Sequence, residues 1–284
     1  MQPVPLPSKP TYTPADVSVV VATFDAGDNF EDSLKTWVTN EPLEIIIVAV
    51  AGFDQELSAR ISVAVNSVSS SHTQVHLLRV PHPGKRQQLA RGIGEARGSI
   101  LVLADDDVFW PPRLLPLVLA GFEEAGIGGV GTTQEGRLGS QGVTERTDAV
   151  ALGDVTIWEY LGARRLQRRN KDISAMNYLQ TAVTCLSGRT AAYRAHILKS
   201  PEFLDAFVND YWLGRFLLDS GDDTFITRWL LGNGWKLRIQ TDPDARIATL
   251  LAPTAKFLRQ IVRWSRNTRR SFLRCIFLIE GFPQ

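Results

Sequence analysis

Three consecutive carboxylates, Asp105, Asp106 and Asp107, are the first residues of the chain whose type and spacing could do chemistry. Adjacent carboxylates repel one another unless a positive charge lies between them, and hard oxygen ligands of this kind suit Mg2+ or Mn2+ carrying a diphosphate. The alternative is an acidic cap for a helix opening at Pro111 and Pro112, a task that one Asp would complete. A second acidic turn, Gly221-Asp222-Asp223, opens another segment of helical pattern. There the glycine permits a close approach, and a carboxylate could take a proton from a sugar hydroxyl. Capping competes here as well; the reading that serves both assigns Asp222 to the cap and Asp223 to the base.

Cations accompany these turns. Gly84-Lys85-Arg86 places two positive side chains at a helix amino terminus, which makes either a phosphate cradle or an ordinary solvated pair. Gln260, Arg263 and Trp264 lie within a helix expected from Thr254 to Ile279, where a guanidinium and an amide could grip a diphosphate while the indole offers a sugar platform. On the same helix Arg259, Arg263, Arg266, Arg270 and Arg274 form one stripe, and Phe257, Ile261, Trp264, Phe272, Cys275 and Ile279 lie opposite. Such a helix either sinks shallowly into an anionic membrane surface or docks its apolar face on its own domain. A further cluster, Arg164, Arg165, Arg168, Arg169 and Lys171, reads as a solvated or membrane-facing surface and not a catalytic one.

The elements that must position these groups follow from periodicity. Val17–Thr23, Ile45–Val50, Val75–Val80 and Ile100–Leu103 are short runs rich in β-branched residues, separated by amphipathic segments of helical length. Strands alternating with helices imply a mostly parallel α/β sheet, with the Asp105–Asp107 turn at the carboxyl end of its fourth strand, where open sheets place ligands. Gly84 to Arg97 is the helix entering that strand. Further on, Thr132 to Thr147 reads as a mobile loop, Trp158 to Arg169 as helix, Ala182 to Leu186 as strand, Asp222 to Leu231 as helix and Trp235 to Gln240 as strand.

Composition sets the outer limits. With 284 residues, 44% hydrophobic, the chain can bury a large core without staples. A formal net charge of +1 argues against a nucleic-acid-coating protein. Cys185 and Cys275 lack metal-ligand spacing and serve as small apolar fillers. Residues 1–14 are Pro-rich, have no signal-peptide pattern and are expected to be a flexible leader. The apolar segment from Phe272 to Ile279 is interrupted by Arg274 and too short to span a bilayer. The expected division is residues 15–252 as one domain, with a nucleotide-binding half at 15–131 and an acceptor half at 132–252, followed by an amphipathic helix at 253–284 for which the membrane surface and the domain's own face are the alternatives.

Taken in order, Gly84-Lys85-Arg86, Asp105 to Asp107, Ser187-Gly188, Gly221-Asp222-Asp223 and Gln260-x-x-Arg263-Trp264 resemble the processive glycosyltransferases of family 2, the hyaluronan and cellulose synthases, and most closely their fungal relatives. The resemblance implies an A-type glycosyltransferase fold (GT-A), a Rossmann-like, mostly parallel sheet flanked by helices. It implies a UDP-sugar donor, a polysaccharide acceptor, a Mg2+ or Mn2+ cofactor and a place on the cytoplasmic face of a membrane, the plasma membrane in particular, with transmembrane portions outside this chain. By the same resemblance Asp107 is the metal ligand, with Asp105 at the metal or ribose, and Ala22, Thr23, Lys85, Arg86, Asp105 and Asp106 border the nucleotide sugar. Asp223 is the base, beside Asp222, while Ser187, Gly188, Gln260, Arg263 and Trp264 hold the diphosphate and acceptor end. One departure stands out. The family usually carries an Asp after strand two for the uracil, whereas this chain has Ala49-Val50-Ala51-Gly52, leaving Asp25, Asp54 or backbone groups to replace it.

Overall fold

The computed structural model describes residues 3–52, 56–68, 72–138, 141–143, 155–179 and 185–279, with backbone alone at 138, 141–143 and 275–279. Its strands are β1 (Val17–Ala22), β2 (Glu44–Val50), β3 (Gln74–Val80), β4 (Ile100–Ala104), β5 (Val108–Phe109), β6 (Ile127–Thr132), β7 (Gln134–Leu138), β8 (Gln141–Val143), β9 (Thr190–Arg194), β10 (Tyr211–Trp212), β11 (Phe216–Leu217), β12 (Lys236–Gln240) and β13 (Ile247–Leu250). The α-helices are α1 (Phe30–Val38), α2 (Leu57–Asn66), α3 (Lys85–Glu95), α4 (Leu114–Leu119), α5 (Ile157–Tyr178), α6 (Ala195–Leu198), α7 (Pro201–Val208), α8 (Asp222–Gly232) and α9 (Lys256–Ile279).

A seven-stranded sheet in the order β12-β6-β9-β4-β1-β2-β3 forms the middle layer. β1, β2, β3 and β4 pair in parallel; β1, β2 and β4 are covered on both faces and so have no polar side to show, while β3, with exposed Gln74, His76 and Arg79, forms the edge. One buried cluster joins Val19, Ile45 and Ile47 to Trp37, Leu34 and Leu114 on one face, and another joins Val20, Ile46 and Val48 to Leu89, Ile93, Phe203 and Phe225 on the other. Helices therefore cover both sides. β9 is the exception in direction, antiparallel to both β4 and β6. Because it runs backwards, its entrance at Ser187–Arg189 meets the exits of the parallel strands, and Asp105 N donates to Arg189 O at 3.1 Å. Both β9 and β12 come after residue 131, so the sheet does not divide where the two expected halves do.

Several expectations are corrected. Thr132–Thr147 was expected as loop, but β7 and β8 lie within it and join β13 and β5 in a four-stranded sheet. The helix expected from Pro111 starts at Leu114, and the one expected at Trp158–Arg169 extends over 157–178. Cys185 and Leu186 are not strand, and Ala182–Thr184 lie outside the described residues. Nor is the leader loose where described: Val4 exchanges hydrogen bonds with the Gln240 amide, and Thr11 donates to Glu123 through its backbone and its hydroxyl.

α9 also differs in rotation. Phe257 is buried, but Leu258, Val262, Phe272 and Leu273 are exposed. Arg274 instead faces the body, where it pairs with Asp210, and Arg270 and Arg274 both lie over the Trp212 ring. The side chains of Cys275 and Ile279 lie outside the described residues. Among the described residues no helix is long and apolar enough to cross a membrane.

α3 reaches the sheet through Gly92, where a Cβ would collide with Val20 Cγ1 and come 3.1 Å from Val48 Cγ2. Two turns of this helix separate that contact from Lys85, so the glycine sets how closely the cation approaches the strand ends. We expect Gly92→Ala to destabilise the protein by about 1–2 kcal/mol in urea unfolding, because a collision this close belongs to the upper part, about 2–3 kcal/mol, of the overpacking range and exceeds the helix-propensity gain of about 1 kcal/mol. Gly94→Ala, with open space around it, should instead stabilise by about 0.5–1 kcal/mol.

Candidate active site

The two acidic turns meet on one ammonium group. Lys85, at the first position of α3, donates to Asp105 Oδ1 at 2.8 Å and lies 3.1 Å from Asp222 Oδ2. Burial alone would lower the Lys85 pKa, but Asp105 and Asp222 outweigh it and hold the group well above its ordinary value, so it stays charged. Asp222 is thus an ion-pair partner and not the expected helix cap. The N-cap is Gly221, in the left-handed region at φ 80°, and no side chain caps the helix there.

Around this pair each carboxylate has a distinct environment. Asp106 Oδ2 accepts from the Thr23 hydroxyl at 2.5 Å, which ties the acidic turn to the end of β1. Burial raises the Asp106 pKa against that hydrogen bond. Asp107 is exposed, yet desolvation of its carboxyl first, then Asp105 and Asp106, push it up to about 6, with Arg189 pulling the other way. Asp223 is raised by burial and then by Asp222, with Lys85 and Arg169 pulling the other way. Its Oδ1 accepts from Thr224 N at 2.8 Å, and its Oδ2 lies 3.4 Å from Gly188 N. A Cβ on Gly188 would come 3.3 Å from Asp222 Oδ2 and 3.4 Å from Asp223 Cβ, so this position favours glycine by proximity.

Trp264 joins the same region through arginines. The guanidiniums of Arg165 and Arg189 lie 5.1 Å and 5.3 Å from its ring centroid. Arg189 in turn feels the charges of Asp105, Asp107 and Asp223, while burial lowers its pKa. The indole therefore carries guanidiniums where the sequence suggested a bare sugar platform. Gln260 is half-buried one turn before Trp264, Arg263 is exposed beside it, Ala22 ends β1 half-buried, and the Ser187 hydroxyl lies 3.4 Å from Arg189 N.

Arg86 departs from its expected place. Its buried guanidinium turns away from Lys85, donates to Asp210 at 2.8 Å and to the carbonyls of Phe207, Ser220 and Gly221, and lies over the Phe225 ring. Asp210 also takes Arg274 of α9 and lies 3.9 Å from Arg228 of α8. One buried carboxylate thus ties together the helices bearing Lys85, Asp222–Asp223 and Trp264. Sequence reasoning passed over Asp210, and also Gln88, whose amide donates at 2.7 Å to the carbonyls of Thr23 and Val48. It also set aside Arg165 and Arg169, although both belong to this site. Their i, i+4 spacing on a predicted helix was the available signal. Of the residues considered for the base, Asp25 is exposed and Asp54 lies outside the described residues.

The raised Asp107 pKa has a consequence for stability. A carboxyl near 6 when folded, against about 3.9 when unfolded, contributes stability below about pH 4 that is lost as pH rises through 6. In metal-free buffer we therefore expect the melting temperature of Asp107→Asn to match the parent near pH 4 and to exceed it increasingly towards about pH 7.

A family model described as "Glycosyltransferase like family 2" matches residues 14–267. A "Type 2 glycosyltransferase" of Zymoseptoria tritici is 36% identical over 278 residues, covering 98% of this chain and 55% of that protein. The chain spans about half the length of the fungal type 2 glycosyltransferases it matches. Two solved structures share the fold at 18% identity. One is a mannosyltransferase, PcManGT, from Pyrobaculum calidifontis in complex with GDP-Man and Mn2+ (TM-score 0.62, 96% of this chain, 67% of that one). The other is a glucosyl-3-phosphoglycerate synthase from Mycobacterium tuberculosis in complex with Mn2+, UDP and phosphoglyceric acid (TM-score 0.51, 94% of this chain, 79% of that one). Strand order, acidic turns and sequence match agree: this GT-A chain belongs to the glycosyltransferase-like family 2.

Proposed function

We propose that the chain is the catalytic unit of a metal-dependent, inverting glycosyltransferase that moves a sugar from a UDP-sugar to the end of a growing polysaccharide. The observation that carries the reading is the meeting of Asp105 and Asp222 on Lys85, with half-buried Asp223 adjoining them at the edge of the sheet where the parallel strands end. A half-buried carboxylate with a raised pKa is a competent proton acceptor. In a single displacement Asp223 takes the acceptor hydroxyl's proton as that oxygen attacks the anomeric carbon, and the nucleoside diphosphate departs from the opposite face. Lys85 stands ready to stabilise the departing charge, and one displacement inverts the configuration.

Asp105 and Asp107 fit a hard divalent ion: they are crowded oxygen donors, and desolvation together with Asp105 and Asp106 raises the Asp107 carboxyl despite the nearby charge of Arg189, a penalty that a bound cation would relieve. Among the described residues no three His, Cys, Asp or Glu side chains gather around one point. The protein would then supply one or two ligands and a diphosphate the rest, in the manner of Mg2+ or Mn2+. Bound there, the ion neutralises the leaving phosphates. The presence of Mn2+ with a nucleotide or nucleotide sugar in both fold neighbours supports this use.

Gln260, Arg263 and Trp264 on α9 support processive transfer, since they would hold the end of a polymer against Asp223. The guanidiniums on the Trp264 ring favour a second reading, a single addition to a small or lipid-linked acceptor. Product length separates the two: a ladder of oligomers supports the first, and one addition supports the second. In either case Asp223→Asn should lower turnover by about 10²–10⁴-fold with nucleotide binding intact, and unchanged turnover would sink the assignment.

We also place the chain on the cytoplasmic face of a membrane. Leu258, Val262, Phe272 and Leu273 on the outer side of α9 are exposed, as are Tyr211, Leu213, Phe216 and Leu217 on the β10–β11 hairpin, and Arg259, Arg263 and Arg266 flank the helix face. Sedimentation with anionic vesicles should be weakened about tenfold by Leu258→Asp with Val262→Asp. Equal binding to neutral vesicles would count against the electrostatic part.

A further inference from the structure

On the Trp264 side of Asp223, α5 and the loop entering β9 bring together cations that feel nearby carboxylates without forming an ion pair with any of them among the described residues. Arg165 and Arg189 both lie over the Trp264 ring. Arg169, one turn after Arg165, donates to Cys185 O at 3.1 Å, close enough to Asp223 to influence it. Among the described residues none of these three guanidiniums has a carboxylate within ion-pair distance.

The hydrogen-bond inventory points the same way. Arg189 Nη1 donates to Gln134 Oε1 at 2.9 Å, which leaves the other end of a nearly fully buried amide, Gln134 Nε2, without an acceptor. Arg169 Nε is likewise buried and unpaired. Orphaned buried groups are costly, and both of these are N–H donors, so what would satisfy them is oxygen lone pairs. Burial and the neighbouring charge of Arg169 both lower the pKa of Arg165, which is the electrostatic mark of cations gathered where an anion is lacking.

Guanidiniums beside an aromatic ring suit a sugar that carries an oxyanion: the ring stacks on the sugar, and the planar forks take the carboxylate or phosphate. Arg189 lies within the influence of Asp105 and Asp107 as well as Asp223, so the choice between donor and acceptor falls to Arg169. The donor's diphosphate is expected at Asp105–Asp107 and Lys85, whereas Arg169 stands next to Asp223, where the acceptor hydroxyl must arrive. We propose that Arg165, Arg169 and Arg189, with Gln134 and Trp264, form an acceptor subsite for a sugar bearing a carboxylate or a phosphate ester. The inference rests on the reading of Asp223 as the acceptor-side base.

Calorimetry on the whole chain tests it, with glucuronate, glucose 6-phosphate and neutral glucose as probes, and UDP or GDP with Mn2+ titrated separately. At least one charged sugar should bind about tenfold more tightly than glucose. Preference for glucuronate identifies a carboxylate and preference for glucose 6-phosphate a phosphate ester; either supports the subsite. Arg165→Gln, at an exposed side chain whose loss the fold should tolerate, and Arg169→Gln should each remove most of that preference, while Arg169→Lys retains it. Nucleotide affinity in these variants should change by less than about twofold. Glucose binding as tightly as both charged sugars, or no charged-sugar binding at all, overturns the proposal. So does an equal loss of nucleotide affinity, which would assign the cations to the donor. Failure of UDP and GDP to bind any form would instead remove the glycosyltransferase reading itself.

Discussion

The site depends on one ammonium group held between two carboxylates. Asp105 leaves β4 and Asp222 begins α8, more than a hundred residues later, and two like charges brought together at low dielectric repel by several kcal/mol, on the order of 4 at about 4 Å. Lys85 converts that repulsion into two attractions. The packing behind it is correspondingly strict. α3 lies close on the sheet because position 92 has no side chain, and the residue after Lys85 is anchored in the opposite direction by Asp210. Adjacent residues of one turn therefore do separate work: Lys85 gathers Asp105 and Asp222, and Arg86 fixes the helix that holds it.

Asp210 extends this logic to the rest of the molecule. A carboxylate taken out of water is tolerated only when it is well paired, and this one is shared by guanidiniums from α3, α8 and α9. Those three helices carry Lys85, Asp222 with Asp223, and Trp264. The relative placement of Asp223, Lys85 and the Trp264 indole is thus set by a group that touches none of them.

Much of the frame was legible because it depends on local pattern. The runs at 17–23, 45–50, 75–80 and 100–103 became the parallel strands, and the acidic turn after the fourth run stands at its expected edge. What was not legible depends on rotation and on distant partners. Periodicity groups Arg270 and Arg274 with the other arginines of α9, but says nothing of a tryptophan and an aspartate some sixty residues earlier that draw them inward. Arg165 and Arg169 looked like surface charge for the same reason, since only the fold brings the indole of Trp264 and the carboxylate of Asp223 to them. The stretch from 132 to 147 lacks apolar alternation, yet β7 finds its ladder with β13, a hundred residues on.

The reversed strand β9 has a consequence for how the molecule is made. It stands between β4 and β6, so the first four paired strands and the β6–β12 edge have no backbone ladder in common until residues 190–194 arrive. Closing such a ladder requires a long excursion of chain to be ordered first, which raises contact order and slows assembly. The β1–β4 part of the sheet and the β6–β12 edge therefore complete themselves together. A ribosome that has emitted only the first portion has delivered an unfinished sheet with an open edge at β4, and the strand that seals this edge also delivers Gly188 and Arg189 to the carboxylates.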